Sequence, residues 1–440
     1  MEIPITQELL DSFRKTYDRD LLARAAQNTL SKTPMAQVCF EGRTQRAMTH
    51  HFSLEIPTME ACDQENSGRC WLCAALNLLR ETAGKKLDLE NFELSPSYLC
   101  FYDHLEKANS FLEHILETAG EPLDSRYVSM LLRSPVGDGG WWEYFQGLCL
   151  KYGICPREAM EETYQSTHTE DMNQLLCRRL RQDALQLRQQ AANGTPLSEL
   201  REEKQAMLGR VYSLLCACLG QPPRQFDFEY CDRQGMYHRD PGLTPLSFYE
   251  KYLGEDLSSL VSILNAPLPD VPYHTTCYTK GEESIYGAFP AKRLNLPLEE
   301  FKAAVLRQLQ AGEPVWFVCD SDWGEGRTEG IWDPELYDCS HLLGSDEALS
   351  KGELLQLRQC SLNHAMVFTG ADLTEGRPQK WKIQNSWGRK PGDKGYYVCS
   401  DRWFDRYVFT ATIRLSHLTE QQRQDFQKPA QILPPWHVLG

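Results

Sequence analysis

The chain has 440 residues, and its content of 41% hydrophobic and 24% charged residues is typical of a globular protein, which excludes fibrous and fully disordered classes. Its length predicts two or three structural units, or one core with large insertions. A net charge of −15 disfavours binding to nucleic acid, and no apolar run approaches the ~20 residues of a membrane span.

The cysteine content and the N-terminus bear on the cellular compartment. Sixteen cysteines are too few for a disulfide scaffold, in which cysteine usually exceeds ~8–10% of a short secreted chain. Residues 1–20 carry charges throughout and lack the apolar stretch of a secretory signal. We therefore expect a cytoplasmic protein with free thiols, most of them buried as small hydrophobic residues.

Predicted helices come first along the chain and predicted strands come later. Residues 71–80 are apolar on nearly all sides, which indicates a helix buried in a core. Residues 170–219 repeat leucine and alanine at helical spacing around the turn sequence at 193–196, so we expect an inserted helical hairpin with one solvated face. Short segments rich in β-branched and aromatic residues predict strands at 313–320, 364–370, 380–384 and 394–400. This order indicates an α+β fold.

Cys70 stands apart from the other cysteines. It follows a flexible Asn-Ser-Gly turn and begins the buried helix, where the positive end of the helix dipole and unpaired backbone N–H groups favour a thiolate. The sequence Ser67-Gly68-Arg69-Cys70-Trp71 matches the papain signature C-G-[SA]-C-[WY] at its glycine and at Cys-Trp. Ser67 replaces the first cysteine of that signature, which suits a reducing compartment. Arg69 is a further departure, to which the spacing assigns no contact.

Three other residues complete a candidate catalytic set. A thiolate nucleophile needs an imidazole partner and a group that orients the imidazole. His364 opens an apolar strand, and Asn385 ends the next strand, where its side chain can accept a hydrogen bond from the ring and fix the tautomer. Trp387 can shield that bond from water. Gln64, six residues before Cys70, can donate its amide to an oxyanion, with the Cys70 backbone N–H as the second donor.

These residues together resemble the papain superfamily, and within it the intracellular branch of aminopeptidase C and bleomycin hydrolase. The resemblance extends over nearly the whole chain, through similar segments in the same order: DQENSGRCW (63–71), YLCFYDHLEKANSFLE (98–113), DGGWWEYF (138–145), GLTPLSFYEKYLG (242–254), GEPVWFVCD (312–320), LNHAMVFTG (362–370), QNSWGRKPGDKGYYVCSDRWFDRY (384–407) and LPPW (433–436). His364 also follows Cys70 at about twice the ~130–150-residue spacing of secreted papain-like enzymes, which leaves room for large insertions.

The resemblance implies a two-lobed papain-like core with large, mainly helical insertions, all within one peptidase unit over residues 1–440. The expected parts are an N-terminal helical lobe with the nucleophile (60–156), an inserted helical subdomain (157–260), a β-rich lobe with the histidine and the asparagine (261–425) and a C-terminal arm toward the active site (426–440).

The activity implied by the resemblance is hydrolysis of N-terminal residues from peptides through a thiol acyl-enzyme, without a metal or organic cofactor. Cys70 would be the nucleophile, His364 its imidazolium partner, Asn385 the orienting group and Gln64 the oxyanion donor. The family would also use the backbone at Asp138, Gly139 and Gly140 and the end of the arm at Gly440 to bind the substrate. The resemblance further implies a homohexameric ring with active sites that face an inner cavity.

Three alternatives stay open. The arm ends in His437-Val438-Leu439-Gly440, about three residues short of the family's usual arm, so we expect the aminopeptidase to be less strictly restricted to N-terminal residues, with measurable cleavage of N-blocked or internal peptide bonds. A cysteine endopeptidase or oligopeptidase is therefore the first alternative. Cys70 and Cys73 form the C-x-x-C pair of thiol–disulfide exchange, although redox chemistry does not require the histidine, the asparagine or the glutamine. Cys360 and His364 could supply half of the ligands of a zinc site.

Overall fold

The computed structural model describes residues 4–254, 256–288, 290–339 and 349–440. The described helices are α1 (Gln7–Arg19), α2 (Leu21–Leu30), α3 (Met35–Cys39), α4 (Gly42–Ala47), α5 (Cys70–Leu87), α6 (Pro96–Glu117), α7 (Arg126–Arg133), α8 (Trp142–Tyr152), α9 (Tyr164–Thr167), α10 (Glu170–Ala192), α11 (Leu197–Leu219), α12 (Pro245–Phe248), α13 (Leu298–Gln310), α14 (Lys351–Gln356), α15 (Asp401–Tyr407) and α16 (Glu420–Gln427).

The described strands are β1 (Leu54–Glu55), β2 (Phe226–Cys231), β3 (Tyr237–Leu243), β4 (Leu260–Leu264), β5 (Thr275–Thr279), β6 (Arg293–Asn295), β7 (Val315–Cys319), β8 (Glu325–Gly326), β9 (Ile331–Trp332), β10 (His364–Thr374), β11 (Arg377–Gln384), β12 (Tyr396–Ser400), β13 (Val408–Arg414) and β14 (Gln431–Leu433). Helices thus dominate the first half and strands the second, which confirms the α+β prediction.

The helical half is built around α5 and α6. Helix α5 is buried on nearly all sides, as its apolar sequence predicts, and it ends at Asp88 in a left-handed conformation with φ of 50°. Helix α6 begins where the Ser95 side chain accepts a hydrogen bond from the Tyr98 backbone and proline occupies the first turn. The predicted hairpin of residues 170–219 is present as α10 and α11, which pack against each other and against α6.

A mixed sheet forms the other half. The strands lie in the order β14-β5-β6-β4-β13-β7-β10-β11-β12-β9-β8, and β1 pairs with β10. Strand β10 is antiparallel to β7, with His364 opposite Cys319, and antiparallel to β11, with Val367 opposite Gln384. Because neighbouring antiparallel strands start and end at the same sheet edge, the first residue of β10 and the residue after β11 meet there.

Two large hydrophobic cores correspond to the two halves. The helical core includes residues from α5 to α11, so the segment 157–260 shares its core with the preceding helices. Trp316, Val318, Ala365 and Val367 of β7 and β10 also belong to it, which places the contact between the halves at these two strands. The second core lies around the sheet and α13. The expected boundaries at 156/157 and 260/261 stay predictions.

The cysteines differ from expectation at one pair. Cys39 and Cys339 form a disulfide with a Cα–Cα distance of 5.2 Å, so the expectation of free thiols is wrong for these two residues. Their segments are already adjacent through backbone hydrogen bonds from Glu41 to Leu336 and from Asp338 to Cys39. The other fourteen cysteines are free. Among the described residues, no helix has both the length and the apolar content needed to cross a bilayer.

Candidate active site

Cys70 lies at the first position of α5, at the boundary between the two halves of the molecule. Arg69 is the non-helical residue before it, and the turn before that residue is made tight by Gly68, where a Cβ atom would come within 2.8 Å of the Asp138 side chain. The Ala365 backbone N–H donates to the Cys70 sulfur at 3.5 Å. This contact brings the helix start and the β10 start together.

His364 and Asn385 meet at the sheet edge as the strand register requires. The Asn385 Oδ1 atom lies 2.9 Å from His364 Nε2 and also accepts the Ser386 backbone N–H at 2.8 Å. An oxygen that already accepts a backbone N–H can only accept from the ring, so Nε2 carries the proton and Nδ1 is left as the basic nitrogen. The Trp387 ring stacks on His364 at a centroid distance of 4.8 Å. The Arg327 guanidinium lies over the Trp387 ring, 4.4 Å from its centroid.

Gln64 is held by contacts from both halves. Its Oε1 accepts the Ser386 hydroxyl at 2.6 Å, and its Nε2 donates to the Ser67 carbonyl at 2.6 Å. Its backbone N–H donates to the Ser386 carbonyl at 2.8 Å. These contacts fix the plane of the amide and use one of its two N–H donors, which leaves the second N–H for another acceptor.

Burial opposes a lone charge on either member of the Cys70–His364 pair. Burial raises the pKa of the Cys70 thiol to about 11. Burial also lowers the pKa of His364 to about 4, although the hydrogen bond to Asn385 acts in the opposite direction. A proton moved from the thiol to the imidazole forms both charges together, so their attraction offsets part of the cost of burying each.

A cleft of about 570 Å³ opens above Cys70 and His364. Gly139, Gly140 and Gly440 line it, whereas Gln64 and Asn385 are buried and do not. Gly140 is confined, because a Cβ atom there would lie 2.5 Å from the Trp71 ring, while Gly139 has open space around it. The cleft wall also carries charged side chains on both lobes: Lys107, His114, Lys280, Glu282 and Glu283.

Asp138 differs from the two glycines that follow it, because its carboxylate does not line the cleft. It accepts hydrogen bonds from the Gly68 backbone at 2.8 Å, from Asn173 at 2.7 Å and from Thr169, and it lies 3.3 Å from His104. Burial alone would raise the pKa of Asp138, but these donors hold it well below its usual range. Its carbonyl accepts the Trp71 indole at 2.6 Å. Asp138 therefore supports the cleft wall and the Gly68 turn.

The C-terminal arm reaches the cleft. Strand β14 pairs in parallel with β5, and the Trp436 ring then lies under the Arg126 guanidinium at 4.2 Å. His437 lies 3.2 Å from Asp270, Leu439 is buried, and Gly440 sits against Thr279 on the cleft wall. Gly440, which the sequence predicts at the arm end, thus lines the same cleft as Cys70.

The structure gives the redox and zinc alternatives little support. Cys73 is 2% exposed, lies one turn into α5 and does not line the cleft. Cys70 and Cys73 are both free thiols. Within the part of the chain that the structure describes, no group of three or more His, Cys, Asp or Glu side chains could hold a metal ion, so Cys360 and His364 gain no further ligand.

Sequence reasoning missed several residues that hold the site. Ser386 lies inside the Asn-Ser-Trp-Gly motif, so its proximity to the asparagine could have indicated it. Arg327, Glu162 and Asn173 lie far from the motifs along the chain, and their sequence surroundings carry no signal for their contacts.

Known proteins match this chain over nearly its full length. A model of the "Peptidase C1-like family" matches residues 4–440. Aminopeptidase C of Lactobacillus delbrueckii subsp. lactis is 39% identical over 393 residues, which cover 88% of this chain and 87% of the relative. Aminopeptidase C of Listeria monocytogenes serovar 1/2a is 37% identical over 440 residues, or 100% and 99% of the two chains.

A solved structure has the same fold as this chain over its full length. The crystal structure of PepW from Lactobacillus rhamnosis superposes with a TM-score of 0.97 at 39% identity, and the match covers 100% of this chain and 99% of that one. With the thiol, the imidazole and the amide side chains arranged as described, the chain belongs to the Peptidase C1-like family and is a cysteine peptidase.

Proposed function

We propose that this protein is a cysteine aminopeptidase in which Cys70 is the nucleophile, His364 the general acid and base, Asn385 the orienting group and Gln64 an oxyanion donor. The observation that carries the proposal is the junction of α5 with β10, where the Cys70 sulfur lies against the first residues of the strand that begins with His364. The Asn385 contact leaves the other ring nitrogen of His364 free to take the thiol proton.

The reaction follows from this arrangement. His364 takes the Cys70 proton, and the thiolate attacks the carbonyl carbon of the first peptide bond. The negative oxygen that forms is stabilised by the free N–H of Gln64 and the Cys70 backbone N–H. His364 then protonates the leaving amine, and afterwards it takes a proton from the water that hydrolyses the thioester. These steps use the side chains described above, the Cys70 backbone N–H and one water molecule.

The nucleophile is tested by substitution and by labelling. We expect Cys70→Ala to abolish turnover and to leave the melting temperature nearly unchanged. Limited iodoacetamide should modify Cys70 first among the fourteen free thiols, with loss of activity in proportion. Cys73→Ala is the matched control on the same helix, and its peptidase activity should persist. Fast labelling of another cysteine without loss of activity would contradict the assignment.

The restriction to N-terminal residues is supported by the arm. Pro435 and Gly440 line the cleft, so the arm occupies space that an extended peptide would need. The Glu282 backbone donates to the Thr279 carbonyl at 3.1 Å, which places Glu282 and Glu283 close to the end of the arm. Glu282 pairs with the buried Arg293 at 3.0 Å, whereas Glu283 lies 3.5 Å from His114 and is the carboxylate that favours a positively charged peptide N-terminus. The position of Gly440 therefore favours an aminopeptidase over the endopeptidase alternative.

We also propose that the protein forms homo-oligomers, with the hexamer of the resembling family as the expected form. Support comes from α1, α2 and the residues just before them, which expose several large apolar side chains: Ile5, Leu9, Leu10, Phe13, Leu21 and Leu22. Light scattering after size exclusion should give a mass several times that of one chain, and Phe13→Asp with Leu22→Asp should reduce it. Leu197→Asp, at a similarly exposed site on α11, is the control.

We propose a cytoplasmic location, on the basis of the fourteen free thiols, which suit a reducing compartment. Alkylation of thiols in freshly quenched, denatured cells, followed by mass spectrometry, should find the fourteen cysteines outside the Cys39–Cys339 disulfide alkylated. Further disulfides among these fourteen would contradict this location.

A further inference from the structure

Arg69, to which the sequence assigns no contact, is a buried cation directly before the nucleophile. It is 1% exposed, and its guanidinium nitrogen lies 3.0 Å from Glu162 Oε2. Its Nε donates to the Ser67 hydroxyl at 3.0 Å. Because arginine stays charged in proteins, a buried guanidinium is stable only where acceptors of this kind surround it.

Ser67 connects this ion pair to Gln64. The Ser67 hydroxyl donates to the Gln64 carbonyl at 2.6 Å, and the Ser67 carbonyl accepts from Gln64 Nε2 at 2.6 Å. The side chain that provides the oxyanion donor is thus separated from Glu162 by two residues, and every step is a short hydrogen bond or ion pair.

The orientation of the Gln64 amide depends on these contacts. Ser386 holds the oxygen end and Ser67 holds one N–H of the nitrogen end. If Ser67 shifts, the amide turns and its second N–H moves away from the developing oxyanion. Misplacement of a catalytic group by ~1 Å can lower the rate on the order of 100-fold, so the contacts that Ser67 and Ser386 make with the Gln64 amide should affect kcat.

We propose that Arg69 and Glu162 are positioning residues that act through Ser67 to hold Gln64 in its oxyanion-binding orientation. This inference rests on the proposed role of Gln64. The proposal connects the expected insertion (157–260) to the active site, because Glu162 belongs to it and lies just before α9. The Ser166 hydroxyl of α9 donates to the Glu162 carboxylate.

Two single substitutions test the link at different points. Ser67→Ala leaves the ion pair intact and removes the hydroxyl that joins it to Gln64, and Glu162→Gln removes the charge of the outer partner. Each should lower kcat about tenfold with KM within about twofold, because the oxyanion exists only beyond the ground state. Gln64→Ala should lower kcat by ~10²–10³. In the Gln64→Ala background, Ser67→Ala and Glu162→Gln should change kcat by less than about twofold.

Two reagents separate positioning from a general loss of structure. A peptide aldehyde forms a tetrahedral adduct with Cys70, so its affinity should weaken in step with kcat/KM. Iodoacetamide alkylates the sulfur without forming an oxyanion, so its rate should stay within about twofold of the wild-type rate. Asp183→Asn is the matched control, since Asp183 is a buried acid that pairs with Arg179 on α10. Asp183→Asn should lower the melting temperature and leave kcat unchanged.

The double variant Arg69→Met/Glu162→Leu tests whether kcat stays low when the stability lost in Glu162→Gln is restored. Replacing a buried ion pair by apolar residues often restores stability, so the melting temperature should recover relative to Glu162→Gln, while kcat should stay about tenfold low. Wild-type kcat in Ser67→Ala and Glu162→Gln, with Gln64→Ala impaired, would overturn this inference alone. Wild-type kcat in Gln64→Ala would instead overturn the proposed role of Gln64 and the inference with it.

Discussion

Cys70 and His364, the proposed nucleophile and base, are both buried side chains in which the charged form is disfavoured. Burial raises the pKa of the thiol to about 11 and lowers that of the imidazole to about 4, so neither group takes up its charged form readily by itself near pH 7. The helix N-terminus and the Ala365 N–H favour the thiolate, and the Asn385 oxygen favours the imidazolium. Proton transfer from the thiol to the imidazole therefore forms both charges together, and each charge stabilises the other.

His364→Gln should expose the pKa of the isolated thiol. Without the imidazole, a thiol whose pKa is raised toward 11 is almost fully protonated at pH 7, so iodoacetamide should react with Cys70 on the order of 100-fold more slowly than in the wild type. Because a thiol ionises as the pH rises, the rate should increase steadily toward pH 11. His417→Gln, at a partly buried histidine beside Glu313 and away from the cleft, is the control. Unchanged labelling of His364→Gln at pH 7 would contradict this account.

Asp138 should contribute to stability in a pH-dependent way. Hydrogen bonds from His104 and its neighbours hold the folded-state pKa of Asp138 below the unfolded value of about 3.9, so its contribution is complete above that pH and is lost as the pH falls. Asp138→Asn should lower the free energy of unfolding by about 3 kcal/mol at neutral pH, because it removes the nearer carboxylate of the buried His104 and leaves only Asp103 at 3.9 Å.

Thermal unfolding of Asp138→Asn and the wild type between pH 2.5 and 7 measures this effect. The difference in Tm should be largest between about pH 4 and pH 6.5, where the carboxylate is ionised and holds the pKa of His104 above its ordinary value, and it should narrow below about pH 4. A difference that continues to widen below pH 4 would show that the carboxylate is not the group responsible.

At the scale of elements, the turn between Asp138 and α8 forms one wall of the cleft. A Cβ atom at Gly140 would lie 2.5 Å from the Trp71 ring, which is fully buried next to Cys70. Gly140→Ala should therefore displace Trp71, lower the free energy of unfolding by ~1–3 kcal/mol and reduce kcat.

Gly139→Ala is the matched variant in the same turn. Its Cβ atom meets nothing within 4 Å, so we expect unchanged stability and a raised KM where the substrate backbone passes close to the turn. Thermal melts and steady-state kinetics on both variants separate the two effects. Equal loss of stability in the two variants would contradict the packing argument at Trp71.

The elements that the sequence predicts well are those with a strong local pattern. The buried α5, the hairpin of α10 and α11 and the strands β7, β10, β11 and β12 are all predicted near their observed positions, because periodicity and turn residues specify them locally. The site motifs are also local, since Gln64 and Cys70 flank one turn and His364 and Asn385 lie at strand ends that the register brings together.

Long-range contacts could not be predicted in the same way. Glu162 reaches Arg69, and Asn173 and Thr169 reach Asp138, but the local sequence around these residues carries no signal for their partners. The Cys39–Cys339 disulfide joins residues 300 positions apart, and cysteine counting alone gave no reason to pair them. Such contacts depend on how the elements pack, which a local pattern does not encode.

At the scale of the whole molecule, the active site is a junction of three parts. The helical half carries Cys70, the proposed nucleophile, the sheet carries the proposed base and its orienting group, and the C-terminal arm reaches the cleft between them. The arm is tied down along its length by β5, Arg126 and Asp270, so its end is held in a defined place. Selectivity for free N-termini should therefore depend on the arm, and hydrolysis itself should not.

The most direct test compares a fluorogenic peptide that has a free N-terminus with its N-acetylated twin. We predict that the wild type prefers the free amine by on the order of 100-fold or more in kcat/KM, since a site that binds a polar group rejects an analogue that lacks it. Removal of residues 437–440 should raise cleavage of the acetylated peptide, and Cys70→Ala should cleave neither peptide. Equal hydrolysis of both peptides by the wild type, or activity that survives Cys70→Ala, would contradict the account.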